Sequence, residues 1–554
     1  MSLLATLARL QAVRSGRAEP LATVLHRHLA ERPMVLVPLA AAGEAGAPLA
    51  VMLGRDRERP RLLTVPQPLD RDRRFAFLAD LADELLPYLE SFGQDVEILT
   101  KETKDAQTGE RTEVSRELCL DAPQLVVPNR GGVELLGLLG RSTRFRRTAE
   151  DPDPGPYPAP ARVPLLGRHL THLRERSQVP GSSMLVAMTD LLSRHWATGQ
   201  SALEDQHLGA LLGWIDPPPG LTGAQAALHA ETGRDDRGQL LCPPAGPSTD
   251  PHFDSQLLAP AINRYDAARQ AAAGHAADRA LVEAREQEVN ELLAGVLRPV
   301  WEQLWHGLEL LRTLPAAGHL AERWTGDRWS YTAHRDRIAA GEPPQPIRDD
   351  AVTAARKLAQ REREQTTVGV QEALDDPLAM AERRLAGEAL VGTVTAVEPE
   401  YDTSRRTPRP RPLLTVRTAD RPHAEPGQEL HRAGGPGGQR AVLVAAGSDG
   451  EGGDDSGGGG ADGPGSVTLR LVSGMGLKKE PAPGSVPEVG ETVCFTVFEL
   501  TARQSAPLPE PEDTPWTHGG PPGTLPAGTV GITGAAEPAG PAAVAADHDG
   551  GSVR

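Results

Sequence analysis

Nowhere in the 554 residues do eighteen apolar residues run together, so the sequence offers no helix that would cross a bilayer. Cysteine is scarce. Cys119, Cys242 and Cys494 are odd in number and far apart, which argues against a disulfide framework and for a reducing, cytoplasmic setting. Lysine is scarcer still for a chain of this length: Lys101, Lys104, Lys357, Lys478 and Lys479 are the only five, and arginine supplies the remaining positive charge. The N-terminal stretch "MSLLATLARLQAVRSGRAEPL" has arginines inside its apolar run and reads as an amphipathic helix, not a signal peptide.

The motifs of familiar catalysis are missing too. There is no GxxxxGK[ST] phosphate loop, no HExxH and no GxSxG. "GMGLKK" has the wrong spacing for a phosphate loop. At "VVPNRGGVELL" a helix start offers N–H groups to an anion, but Glu134 in its first turn would repel one, and a structural connection is expected. His26 and His28 are two apart and point in different directions on a helix. His169 and His172 can share a face, yet no Cys or acid is placed to complete a metal site. Neither metal nor cofactor is expected, and the reading is non-enzymatic.

What is present is a multidomain α+β chain, since 554 residues exceed one hydrophobic core. Residues 446–465, "AGSDGEGGDDSGGGGADGPG", and the Pro/Gly/Ala-rich tail 501–554 bury too little to offset chain entropy and are expected to be disordered. The first holds five acids and no Lys or Arg. The second holds six acids against Arg503 and Arg554. They contribute −5 and −4 to the net −17, which leaves about −8 for the remainder. An acidic chain carries no global signature for nucleic acid, so any such contact must be local.

Residues 1–147 read as an α+β domain: two helices divided near Gly16, a three-stranded meander ("MVLVPLA", "APLAVML", "RLLTVPQ"), a helix over 75–89, an exposed hairpin around "DAQTG", then a buried strand and short helix in "PQLVVPNRGGVELLGLLGR". A Pro-rich linker follows at 148–162. Residues 163–386 read as a helical domain ending in a charged stem. It includes a helix in "GSSMLVAMTDLLSRHWATGQ" capped by Ser182 or Ser183, and a capping box between Ser201 and Glu204. A long apolar stripe over 263–314 carries Trp301 and Trp305, with a kink expected at Pro299. From Leu390 the apolar period switches to two, and five short strands over 387–500 favour a small β-barrel, because closure removes exposed edges.

Two arginine clusters are the candidate binding residues. "RSTRFRR" sets Arg141, Arg144, Arg146 and Arg147 around Phe145. "SRRTPRPRP" sets Arg405, Arg406, Arg409 and Arg411 in a proline-extended loop. Guanidinium forks grip phosphates, and an aromatic ring stacks on a base.

The charged stem followed by "EALVGTVTAVEP…LLTVRTA…RAVLVAA…SVTLRLVSG…PEVGETVCFTVFEL" resembles the stalk and accessory β-barrel of Upf1-like superfamily 1 helicases over roughly 350–500, without the helicase motor. The resemblance implies a barrel that helps hold single-stranded nucleic acid beside a helicase or ATPase on another polypeptide. A rival reading is a metal-dependent nuclease: residues 20–140 loosely resemble the PD-(D/E)xK core in element order, with Asp56 and the Glu102-Thr-Lys104 triplet as its nearest match to the required acids and lysine. In a third, the Trp301/Trp305 stripe is an oligomerisation seam.

Overall fold

The computed structural model describes residues 3–42, 46–104, 111–272, 279–344, 349, 351–404, 408–447 and 465–500. Helix α1 (Leu3–Ser15) is followed by irregular chain and then by strands β1 (Met34–Ala40), β2 (Pro48–Gly54) and β3 (Arg61–Thr64), the expected antiparallel meander. Helix α2 (Arg71–Ser91) leads into a separate two-stranded hairpin, β4 (Val96–Lys104) and β5 (Arg111–Cys119). Strand β6 (Leu125–Val127) then lies parallel to β1, and α3 (Arg130–Thr143) and α4 (Val163–Arg176) follow.

The fifth strand of the sheet is β7 (Leu185–Ala187), parallel to β6, which gives the order β3-β2-β1-β6-β7. This corrects the expected helix over 182–199. "MLVA" is a short apolar run, and periodicity alone cannot separate a buried strand from a buried helix. Only Met188–His195, α5, is helical there. The Ser201–Glu204 box does close, Ser201 N–H donating to Glu204 (2.7 Å) and Glu204 N–H to Ser201 Oγ (3.3 Å), but around a single 3₁₀ turn. Helix α6 (Leu208–Ile215) begins later, capped by His207, and α7 (Gly223–Thr232) and α8 (Ala259–Ala271) follow.

β1 is buried at every position because both faces of the sheet are covered. Leu36, Val51 and Leu53 pack with α2, α3 and α4 through Leu81, Leu85, Leu136 and Leu170. Val35, Val37 and Met52 pack on α9 (Arg279–Arg312) through Leu293, Leu297, Trp301 and Leu308. The tryptophan stripe is therefore the cover of the sheet. Trp301 is fully buried and its Nε1–H donates to the Arg57 carbonyl (2.9 Å), so it cannot also serve as an oligomer seam. Pro299 lies inside α9.

The stretch 163–386 is thus not a free-standing helical domain, since it supplies a strand and a covering helix to the sheet begun by residues 34–64. Residues 148–162 are not a loose tether either. Ala159 N–H donates to the Arg147 carbonyl (2.7 Å), and Arg162 reaches Asp83 (3.1 Å). No second N-terminal helix forms after Gly16, because tertiary hydrogen bonds hold that chain extended: Thr23 to Asp376, His26 N–H to His195, His28 N–H to Ser183.

Helix α10 (Leu320–Ala339) precedes the stem, α11 (Ala351–Asp375) and α12 (Pro377–Leu385). Residues Met1–Pro346 and Gln360–Gln504 form one compact unit, and Ile347–Ala359 belong to a second. The barrel is closed and antiparallel, with six strands: β8 (Ala389–Glu398), β9 (Leu413–Thr418), β10 (Glu429–Arg432), β11 (Arg440–Gly447), β12 (Gly465–Leu471) and β13 (Thr492–Thr496). The unexpected strand is β10, "ELHR". Its alternation is hidden because Arg432 points inward, donating to Gln439 (2.9 Å) and Glu491 (2.6 Å), beside the fully buried Leu430. Register shifts at Val394/Ala396 and Leu443/Ala445 add the local bend that closure needs. The expected disordered tracts lie, but for their first and last residues at 446, 447 and 465, outside the described residues.

Candidate nucleic-acid interface

The cluster Arg141–Arg147 sits at the C-terminal end of α3. Basic side chains suit that position because they complement the negative end of the helix dipole, and that alone would explain them. The surroundings add more. Helix α4 crosses α3 at two glycines, Gly140 and Gly167, where a Cβ at Gly140 would stand 2.7 Å from the Thr171 backbone nitrogen. This backbone-close crossing sets α4 against the end of α3 at Arg144, whose backbone is still helical and whose N–H donates to the Gly140 carbonyl (3.1 Å). Arg144 is buried and its guanidinium lies 4.7 Å from the centroid of the Phe145 ring, while Phe145 itself is 53% exposed.

The loop after the cluster folds back on α2. The Arg147–Ala159 hydrogen bond returns the chain toward Arg71, whose Nη2–H donates to the Tyr157 carbonyl (2.9 Å). The Arg71 guanidinium then lies 4.6 Å from the Phe75 centroid and 5.1 Å from that of Tyr157, which is 71% exposed. Arg146 reaches the same Phe75 ring at 6.0 Å and anchors to the Ser142 carbonyl (3.2 Å). Contacts therefore run from Arg146 to Phe75, Arg71 and Tyr157, and the exposed Phe145 ring, backed by the buried Arg144, is next to Arg146 in the chain. Acids lie among them: Asp72, almost wholly exposed, pairs with Arg71 at 3.4 Å, Asp153 is engaged by Arg147, and Asp151 accepts from Thr148 (3.1 Å).

Of this surface only the α3 end is legible in the sequence; Arg71, Phe75 and Tyr157 are not. The available signal was "RDRRF", a second arginine-aromatic string, and a tyrosine in a Pro-rich run. Nothing local joins them, because they meet only when the 148–162 loop folds back on α2.

The second arginine cluster belongs to the barrel. Arg405 and Arg406 lie outside the described residues. Arg409 and Arg411 are half-buried: Arg409–Pro410 pairs with Tyr401–Asp402, and Arg411 bonds the Pro410 carbonyl (3.2 Å). Elsewhere on the barrel and its stem, arginines are matched by acids: Arg384 with Asp420 (2.7 Å), Arg440 with Glu429 (3.0 Å) and Arg470 with Glu400 (3.0 Å).

The nuclease arrangement is not assembled. Glu102 and Lys104 belong to a hairpin strand whose pairing is with β5, outside the sheet that carries β2. Asp56 is half-exposed and held by Arg59 (2.9 Å) and the Glu58 N–H (3.1 Å), which keep its carboxyl below the ordinary range. His169 and His172 do share a face and meet His334 of α10. The His172 and His334 rings stack nearly parallel at 4.1 Å, so their nitrogens do not converge on one point. Among the described residues no group of three or more His, Cys, Asp or Glu side chains is placed to hold a metal ion. Cys494 is half-buried against Met380, and burial pushes its thiol up to about 11. No helix among the described residues is long and apolar enough to cross a membrane. Comparison with family models, with curated proteins and with solved structures finds no match.

Proposed function

We propose that this protein is a non-enzymatic adaptor that binds single-stranded nucleic acid across the arginine-aromatic surface of Arg71, Phe75, Phe145, Arg146 and Tyr157. The observation that carries the reading is that the sequence-distant Arg71 and Arg146 meet at the Phe75 ring, with the exposed rings of Tyr157 and Phe145 beside them. Every base has a π-face that stacks on a ring, and guanidinium groups meet the phosphates between bases. The net charge of −17 works against diffuse binding, so this local patch sets the footprint. The closed barrel on its helical stem fits an accessory part whose motor, a helicase or ATPase, is a separate polypeptide.

Fluorescence anisotropy of a labelled single-stranded oligonucleotide with the full chain tests this. Binding at low salt that the double substitution Phe145→Ala, Tyr157→Ala weakens supports it. Absence of binding at low salt, or an affinity indifferent to that substitution, ends it.

A further inference from the structure

At the opposite end of α3, about 20 Å from Phe145 along a helix of fourteen residues, β7 forms the floor of a crevice of ≈ 460 Å³. Its charged lining is four arginines, Arg27, Arg130, Arg174 and Arg194, against two acids, Glu134 and Asp190. These side chains come from four separate segments, which is why no motif announced them.

The ion pairs of the crevice leave one cation short. Arg130 Nε is 2.8 Å from both oxygens of Asp190, and Arg174 Nη2 is 2.5 Å from Glu134. Arg194 is bonded to Glu372 of α11. The same carboxylate is the nearest partner of Arg27, but at 3.9 Å it is out of hydrogen-bond range. The Arg27 side chain is only 14% exposed, and its buried Nη1 has no hydrogen-bond partner. Burial and the neighbouring Arg194 lower its pKa to about 10. Two guanidinium groups thus share one carboxylate at the wall of an open crevice. A buried guanidinium with unmade hydrogen bonds is costly, and an entering anion removes that cost.

We propose that this crevice binds a phosphomonoester of a small organic molecule, with the phosphate between Arg27 and Arg194. A phosphate dianion has enough oxygens to meet two guanidinium forks, whereas a carboxylate matches one. The volume lies within the range of small-molecule sites, about 300–1,000 Å³, and leaves room for an organic body beyond the phosphate. That body is not a stacked base, because no aromatic side chain lines the crevice. Its walls are aliphatic (Val133, Leu185) and hydroxyl- or amide-bearing (Ser177, Gln365), which suits a sugar phosphate.

The test is isothermal titration of the full chain with ribose 5-phosphate, with ribose, and with inorganic phosphate. Binding of both phosphates but not of ribose is expected, the sugar phosphate the tighter. Arg27→Gln should weaken it by about tenfold or more, equivalent to ~1.4 kcal/mol, and Lys479→Ala on the barrel should leave it unchanged. If circular dichroism shows that Arg27→Gln does not fold, Arg130→Gln at the exposed rim is the second variant, with a loss of about threefold or more expected. Equal binding of ribose, no binding of either phosphate at millimolar concentration, or undiminished affinity in the folded variants overturns the proposal. The Phe145→Ala, Tyr157→Ala protein should retain ribose 5-phosphate binding, so the two sites are judged separately.

Discussion

Asp376 and His26 are 350 residues apart in sequence, yet Oδ2 of the one lies 3.1 Å from Nε2 of the other. The same buried carboxylate accepts from the Thr23 N–H (2.9 Å), the Thr23 hydroxyl (3.0 Å) and the Leu378 N–H (3.0 Å). It therefore caps α12, the helix that leads into the barrel, and ties it to the N-terminal segment.

Replacing Asp376 by Ala strands the Leu378 and Thr23 N–H donors in a dry site. The expected cost is about 2–4 kcal/mol, read as a lower urea midpoint, with faster amide exchange at Thr23, His26 and Leu378. Burial by itself raises the Asp376 pKa, but hydrogen bonds from Thr23, Leu378 and His26 outweigh it and the net direction is down. A carboxyl depressed in the folded state adds stability above its unfolded pKa of about 3.9 and loses it as pH falls through the folded value. Asp376→Ala should thus cost most near neutral pH and progressively less in strong acid. A penalty that stayed constant down to pH 2 would refute this role.

The histidine trio of α4 and α10 makes the molecule acid-sensitive at milder pH. Burial, with Arg168 adding to it, lowers His169 to about 4. Burial, with Arg337, His169 and Arg176, lowers His172 to about 3. Burial and the two other histidines, with Arg337 and Arg168, lower His334 further. The unfolded chain takes up protons below about 6.5 and the folded chain does not, so stability is full above that pH and declines as pH falls below it. Each histidine should contribute roughly 1–2 kcal/mol of loss between pH 7 and pH 5. Urea denaturation at the two pH values measures it. His334→Phe, which keeps a ring in the stack, should flatten the pH slope, and an unchanged slope would exclude the trio as its source.

For the nucleic-acid surface the two kinds of residue make separable contributions. Phe145→Ala with Tyr157→Ala removes two stacking platforms worth about 1–3 kcal/mol each, a loss nearly independent of salt. Arg71→Ala with Arg146→Ala should instead reduce the slope of log affinity against log salt by about 1.4, following ~0.7 per phosphate contact on a single strand. Anisotropy titrations across a salt series distinguish the two. A slope that the arginine substitutions leave unchanged places the phosphates elsewhere.

Much of the architecture was legible because its signals are local. The meander, the hairpin, the stem and the barrel each declare themselves through apolar period and turn residues over ten to twenty positions. β7 did not, because three apolar residues bounded by serines on one side and a helix on the other have no period to read. β10 did not, because its inward residue is an arginine satisfied by Gln439 and Glu491. Of the candidate surface, only the α3 cluster could be seen in the sequence. Its partners Arg71 and Tyr157 are brought to it by the crossing of α3 with α4 and the return of the 148–162 loop. The crevice around Arg27 was invisible for the same reason: its chemistry lies in a mismatch of partners, and partners exist only in the folded chain.

Two glycines in long helices separate the contribution of that crossing from ordinary helix propensity. At Gly167 an added Cβ would sit 2.5 Å from the backbone nitrogen of Arg144, an atom that no side-chain rotation can move. At Gly295 in α9 it would meet nothing within 4 Å. Gly295→Ala should therefore stabilise the protein by about 0.5–1 kcal/mol, the gain of alanine over glycine in a helix. Gly167→Ala gains the same propensity but must push α3 off α4, and overpacking of this kind costs about 1–3 kcal/mol. Because the displaced atoms belong to Arg144, beside Phe145, Gly167→Ala should also weaken oligonucleotide binding while Gly295→Ala leaves it alone. Thermal melts and anisotropy on the two variants give opposite signs in stability if the close crossing is what builds the surface. Equal shifts, or full binding by Gly167→Ala, would mean that the Arg144–Phe145 turn forms without it.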